Sequence, residues 1–156
     1  MPVPELDRDA MLHALRLARA AGRRGEVPVG AVILAHGEVI AAASNRVERA
    51  RDASAHAELL ALRRASRKLE SWRLSGCTLY STLEPCPMCA GAILLARIDR
   101  VVYGAEDPRK GAHRSVYDVL GNRGGNHHPE ITWGCEAAAA SALLQGFFQR
   151  LRSETS

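Results

Sequence analysis

Apolar residues change their spacing several times along this chain, and each change marks a predicted element. Met11, Ala14, Leu15 and Ala18 recur at helical intervals; Asp7 or Asp9 suits the helix start and Gly22 its end. Two short apolar runs follow, over 29–35 and 38–43, with only His36-Gly37 between them, which reads as a hairpin. Leu59, Leu60 and Leu62 begin a second helix that runs to residue 67, with Asp52 or Ser54 as its cap. Residues 77–82 read as a strand leading into a helix that ends near 96, and 101–104 read as the next strand. A polar loop, a helical turn near 116–120, a strand at 130–133 and a terminal helix over 136–152 complete the order. Helices and strands alternate, so the fold class is α/β. The helical turn between the last two strands predicts that they run parallel, because a parallel crossover needs such length.

The 156 residues suit one domain with a proper core, and no linker, repeat or low-complexity segment divides them. Residues 121–125 are glycine-rich and read only as a flexible connector. With 47% hydrophobic and 24% charged residues, the composition is that of an ordinary globular protein. A net charge of +4 is a mild basic bias, compatible with a nucleic-acid ligand but insufficient to demand one. No apolar run approaches the length of a membrane span. No secretion signal is recognisable, so a reducing cytoplasm is the expected location and the four cysteines do not read as a disulfide framework.

Two of those cysteines change the picture. His56-Ala57-Glu58 and Pro85-Cys86-Pro87-Met88-Cys89 together supply three zinc ligands, His56, Cys86 and Cys89, and one carboxylate, Glu58, that need not be a ligand. A structural zinc normally closes with four protein ligands, whereas a catalytic one keeps a position open for water. Zinc so held lowers the pKa of bound water from about 15.7 to about 7, and Glu58 is then available to carry protons. Cys86 and Cys89 share a helix face at i and i+3, and Pro87 suits the first helical position. A helix N-terminus also favours the thiolate form of both. His56 and Glu58, at i and i+2, can both reach a metal off a helix end, because first-turn side chains lean toward the N-terminus. The predicted arrangement is two helix N-termini converging on one metal. A Cys-x-x-Cys alone is as readily redox or structural, and a His-x-Glu alone is weaker still. Jointly and in this order they form the signature of zinc-dependent nucleobase deaminases. Cys77 and Cys135 remain as buried small hydrophobes.

Further motifs surround that signature. They are Glu26-Val27-Pro28-Val29-Gly30-Ala31-Val32, Asn45-Arg46, Ala55-His56-Ala57-Glu58 and Thr82-Leu83-Glu84-Pro85-Cys86-Pro87-Met88-Cys89-Ala90-Gly91-Ala92. Arg100-Val101-Val102-Tyr103-Gly104-Ala105, Asn126-His127 and Phe147-Phe148 follow. With them the chain, from residue 6 to 152, resembles the bacterial tRNA-specific adenosine deaminases of the cytidine deaminase superfamily. The resemblance implies a three-layer α/β/α cytidine-deaminase-like fold, with a mixed five-stranded sheet and one Zn²⁺ per subunit at the strand ends. It implies a hydrolase that converts adenosine to inosine at the wobble position of a tRNA anticodon, acting as a homodimer on the anticodon stem-loop.

The resemblance also assigns substrate contacts. Asn45 would hydrogen-bond the flipped base, Ala57 would offer its backbone groups, and Glu26, Pro28 and Val29 would wall the pocket. For these three, a strand entrance packed into the core is the alternative, and for Glu26 the two readings are even. Phe147 and Phe148 point about 100° apart on a helix, so one can anchor it while the other stacks on an unpaired base. Arg150 and Arg152, and Arg109 in the polar loop, suit phosphate contacts. The two terminal arginines equally suit the solvated end of a helix. Glu84 suits orienting the cysteine loop. The chain departs from the family at His113 and Arg114, where small residues are usual, and at Trp133-Gly134-Cys135. Pro87 is shared with related guanine deaminases. A small-molecule deaminase of guanine or cytosine, and a non-catalytic zinc-stabilised RNA-binding module, are therefore the alternatives. The basic loop and aromatic tail weigh against the first, and Glu58 against the second.

Overall fold

The hairpin forms around His36 and Gly37, which both hold positive φ, 51° and 77°. A two-residue hairpin needs that conformation to match strand twist, and Gly37 adopts it with no Cβ in the way. In this computed structural model, which describes residues 3–155, the turn joins β1 (Gly30–Ala35) to β2 (Glu38–Ser44), with a register shift at Ile33/Leu34. On the other side of β1, β3 (Cys77–Leu83) pairs antiparallel, and β4 (Arg100–Ala105) and β5 (Glu130–Trp133) then add in parallel. The sheet is mixed and five-stranded, in the order β2-β1-β3-β4-β5.

Strand alternation divides the core in two. Ile33, Leu79 and Val101 face one way and pack with Ala61, Leu62, Ala90 and Ile93, which belong to α3 (Ala57–Leu69) and α4 (Pro87–Leu95). Their neighbours Val32, Tyr80 and Val102 face the other way. They pack with Met11 and Leu15 of α1 (Glu5–Arg23) and Ala140 of α5 (Ala137–Thr155). The result is the expected three-layer α/β/α arrangement. Among the described residues, no helix is long and apolar enough to cross a membrane.

Several local expectations are corrected. Helix α1 starts at Glu5 behind Pro4, and Asp7 lies inside it, 2% exposed. Its carboxylate accepts two bonds from Arg100 (2.8 and 2.7 Å) and one from the Tyr80 hydroxyl (2.7 Å), so it ties α1 to the sheet instead of capping the helix. Helix α3 is preceded by His56, not by Asp52 or Ser54. Asp52 instead accepts from the Ser54 N–H and hydroxyl, closing a local turn. A short helix, α2 (Val47–Ala50), was not expected. No helical turn forms at 116–120. β4 and β5 are still parallel, because the irregular connection is long enough and is pinned at several points. Ala112 and Leu120 are buried in the α3/α4 core, and His127 Nε2 donates to the Ile98 carbonyl (2.7 Å).

Candidate functional site

Two chain segments that leave β2 and β3, the strands on either side of β1, end at the same point. His56 is the extended residue that precedes α3 (φ −79°, ψ 149°), and Cys86 plays the same part for α4 (φ −76°, ψ 171°), with Pro87 in the first turn. Proline fits there because its missing N–H has no helical partner to lose. The two helix N-termini converge, so the positive ends of both dipoles favour ionised thiols.

His56 Nδ1 stands 3.5 Å from Cys86 Sγ and 3.6 Å from Cys89 Sγ, and the three ligand atoms lie within 4.8 Å of one another. A tetrahedral ion with Zn–S near 2.3 Å and Zn–N near 2.0–2.1 Å requires an S···N edge of about 3.6 Å. The donor set therefore fits zinc in both chemistry and spacing. From the protein groups alone, the hydrogen bond from Cys89 draws the Cys86 thiol down to about 4. Its partnership with Cys86 pushes Cys89 up, so the pair shares one proton that a dication would displace. His56 is raised chiefly by its contact with Cys86.

Glu58 sits in the first turn of α3, 4% exposed, and does not belong to the group of three ligands. Burial pushes its carboxyl up to about 7, where it can both take and give a proton near neutrality.

Asn45 follows β2 and is buried. Its side-chain oxygen accepts the Ala57 N–H (2.8 Å), and its own backbone N–H donates to the Val29 carbonyl (3.1 Å). With the oxygen committed, the end of Asn45 with capacity to spare is its amide nitrogen, a donor. Ala57 uses its N–H to hold Asn45. Glu26, 2% exposed, accepts the N–H groups of Glu48 (3.0 Å) and Arg49 (2.9 Å) at α2. Val29 is packed into the core. In this structure Glu26 and Val29 thus support the Asn45 segment from behind, as a packed strand entrance does.

Phe147 is buried as an anchor, and Phe148, edge-on to it at 5.4 Å, is partly exposed. The Arg109 guanidinium stands over the Phe148 ring, 5.9 Å from its centroid, so the polar loop and the terminal helix meet there. Arg150, two residues on, points away from Phe148 and lines a separate shallow hollow with Arg19, Arg23 and Pro28. The departures at His113 and Arg114 both meet the departure at Trp133. His113 Nδ1 is 2.7 Å from the Tyr103 hydroxyl, and its ring lies 5.3 Å from that of Trp133. Arg114 stacks over Trp133 at 4.6 Å. The main site feature that sequence reasoning undervalued is Glu84, whose acidic character near a helix start is too common to mark a buried anchor.

A family model for MafB19-like deaminases matches residues 6–152. The chain is 43% identical over 144 residues to the tRNA-specific adenosine deaminase of Bacillus subtilis (strain 168), spanning 92% of this chain and 89% of that one. A solved structure from biochemical and structural studies of A-to-I editing by tRNA:A34 deaminases at the wobble position superposes with a TM-score of 0.84 at 43% identity. That match covers 87% of this chain and all but 1% of the other. A guanine deaminase from Nitrosomonas europaea superposes at 0.76 with 30% identity, covering 94% of this chain and 85% of the other.

Proposed function

Because the chain belongs to the MafB19-like deaminases and, within them, groups with the bacterial tRNA-specific adenosine deaminases, we propose that it converts adenosine to inosine at the wobble position of a tRNA anticodon, in the cytoplasm. The observation that carries the reading is the His56–Cys86–Cys89 group with Glu58 buried beside it as a proton carrier.

His56, Cys86 and Cys89 would hold Zn²⁺, which supplies the Lewis acidity that makes a water molecule nucleophilic near neutral pH. Glu58 removes a proton from that water and delivers it to the ring nitrogen beside the amino-bearing carbon. The water oxygen bonds to the carbon as a hydroxyl; Glu58 takes the remaining proton of that hydroxyl and passes it to the amino nitrogen, so that the C–N bond breaks, ammonia leaves and the carbonyl forms. Atoms balance as adenosine plus water giving inosine plus ammonia. The Asn45 amide nitrogen donates to the base and fixes its register. An anticodon loop presents unpaired bases, so extruding one needs little unstacking energy. Phe148 is suited to stack on a neighbouring base, and Arg109 above it to meet the phosphates.

A second reading, deamination of free guanine, is favoured by Pro87 and by the guanine deaminase neighbour, but that neighbour is the more distant in both identity and superposition. Zinc-loaded protein incubated with an anticodon stem-loop carrying a wobble adenosine is expected to yield inosine. Ammonia from free guanine with unchanged RNA would replace this reading with the second.

Helix α4 supports a homodimer. Its sequence is apolar on every side, and such a helix is normally buried all round. Cys89, Ala90 and Ile93 face the core, yet Leu95 is 72% exposed, and the next residue, Ala96, joins Leu59, Leu62 and Ala92 in a hollow rimmed by Arg63, Ser66 and Arg67. A second copy would cover this face. Light scattering should report twice the 16.9 kDa chain mass for the wild type and the single mass for Leu95→Lys. A monomeric wild type refutes the dimer.

A further inference from the structure

Glu84 lies two residues before Cys86 and is 1% exposed, and among the described residues its carboxylate is hydrogen-bonded by backbone N–H groups and one hydroxyl, not by a cation side chain. It is held by dipoles alone. Oε1 accepts the Asp107 N–H (3.0 Å) and the Ser115 hydroxyl, and Oε2 accepts the N–H groups of His113 (2.9 Å), Arg114 (3.0 Å) and Ser115 (3.1 Å). These donors come from both ends of one loop, residues 107–115, which carries Arg109 and Lys110 at its tip. The same loop is fastened to the cysteine segment once more, by the Ala112 N–H on the Pro85 carbonyl (2.8 Å). Gly111 completes the fit: a Cβ at that position would overlap the Glu84 carboxylate itself.

A five-donor cradle around one buried carboxylate is more than a helix start requires. Only an ionised carboxyl group offers two oxygens that accept from every side; the amide of glutamine would turn N–H groups against N–H groups. The loop it gathers is the one whose arginine meets Phe148. The segment it belongs to carries a metal ligand.

We infer that Glu84 is a positioning residue that locks the cationic loop 107–115 to the Cys86 segment, so that Arg109 and Lys110 meet RNA phosphates at a fixed distance from the reacting centre. The inference rests on the RNA reading above. Its mechanism is mechanical registration: without the carboxylate the loop loses its internal partners, and the two cations no longer face the substrate together.

Three measurements on the zinc-loaded protein test it. In Glu84→Gln, amide hydrogen exchange should accelerate at residues 107 and 113–115. The slope of log affinity for an anticodon stem-loop against log salt should fall by about 1.4, the value for two lost cation–phosphate contacts on single-stranded RNA. KM should rise with kcat and zinc content little changed. Arg109→Ala/Lys110→Ala should lose the same slope, and adding Glu84→Gln to it should remove nothing more. Glu84→Asp, which keeps the charge one methylene short, should fall between. Gly111→Ala approaches from the other side and leaves Glu84 intact. It should weaken RNA binding in the wild type and have no further effect in Glu84→Ala, where the group it strikes is gone.

Wild-type binding with an unchanged slope in Glu84→Gln, or a variant that loses zinc and kcat with KM intact, overturns the role of Glu84. Additive losses for Gly111→Ala and Glu84→Ala overturn it as well. A wild type that does not bind the stem-loop overturns the RNA reading instead, and exchange at 107–115 still reports whether the clamp exists.

Discussion

Glu58→Gln is expected to lower kcat by about 10²–10⁴-fold, the range for loss of a general acid–base group, while the protein keeps its metal. Glutamine preserves the volume of this buried side chain, so packing around α3 is retained. It cannot accept a proton from water or pass one to the base. The ligand group His56, Cys86 and Cys89 does not include Glu58, so metal stoichiometry should be unchanged. The carboxyl is raised to about 7 chiefly by burial, so neither protonation state is strongly disfavoured near neutral pH. A bound dication pulls in the opposite direction and favours the ionised form, the one that must act first. Single-turnover rates on the stem-loop, with zinc measured by elemental analysis, separate the two effects. Full activity in the variant would remove Glu58 from the mechanism; loss of zinc would make it a ligand.

Asp7→Asn is expected to destabilise the protein by about 3 kcal/mol, the lower end of the cost of breaking a buried ion pair by removing one partner. Asp7 is almost fully buried and holds Arg100 with two bonds and Tyr80 with a third, so one side chain joins α1 to β4 and β3. The lower end applies because the Arg100 side chain is 24% exposed and keeps other partners, Thr132 at 3.1 Å and the exposed Glu130 at 3.9 Å. The bonds from Arg100, outweighing burial, hold the Asp7 carboxyl below its ordinary value. A carboxyl depressed in the folded state contributes its stability above its unfolded pKa of about 3.9 and loses it as pH falls through the folded value. The gap between wild type and Asp7→Asn in urea unfolding should therefore be full at pH 7 and narrow below about pH 4. A gap that stays constant down to acid pH would place the effect in packing and not in the charge.

Much of this was legible before any coordinate. That His56, Cys86 and Cys89 form one group able to hold a metal is legible because such chemistry needs particular residue types in a particular order. The hairpin was readable because His36-Gly37 is a local turn code. The parallel β4–β5 pair was foreseen for a reason that did not hold, since no helix lies between those strands and scattered tertiary anchors do the same work. Asp7 and Asp52 suit helix starts locally, but long-range partners claim the first and a nearby serine the second.

What the sequence determined by itself is the set of groups and their local geometry: periods that fix which faces are apolar, a proline that starts α4, and donor atoms suited to one ion. What only the tertiary structure decided is which distant groups meet. Glu26 became a brace for Asn45, Arg109 met Phe148 while Arg150 turned aside, and Glu84 gathered a loop more than twenty residues away. The physical reason is the same in each case. A buried polar group must find a partner, and the fold, not the neighbouring sequence, determines which partners lie within about 3 Å.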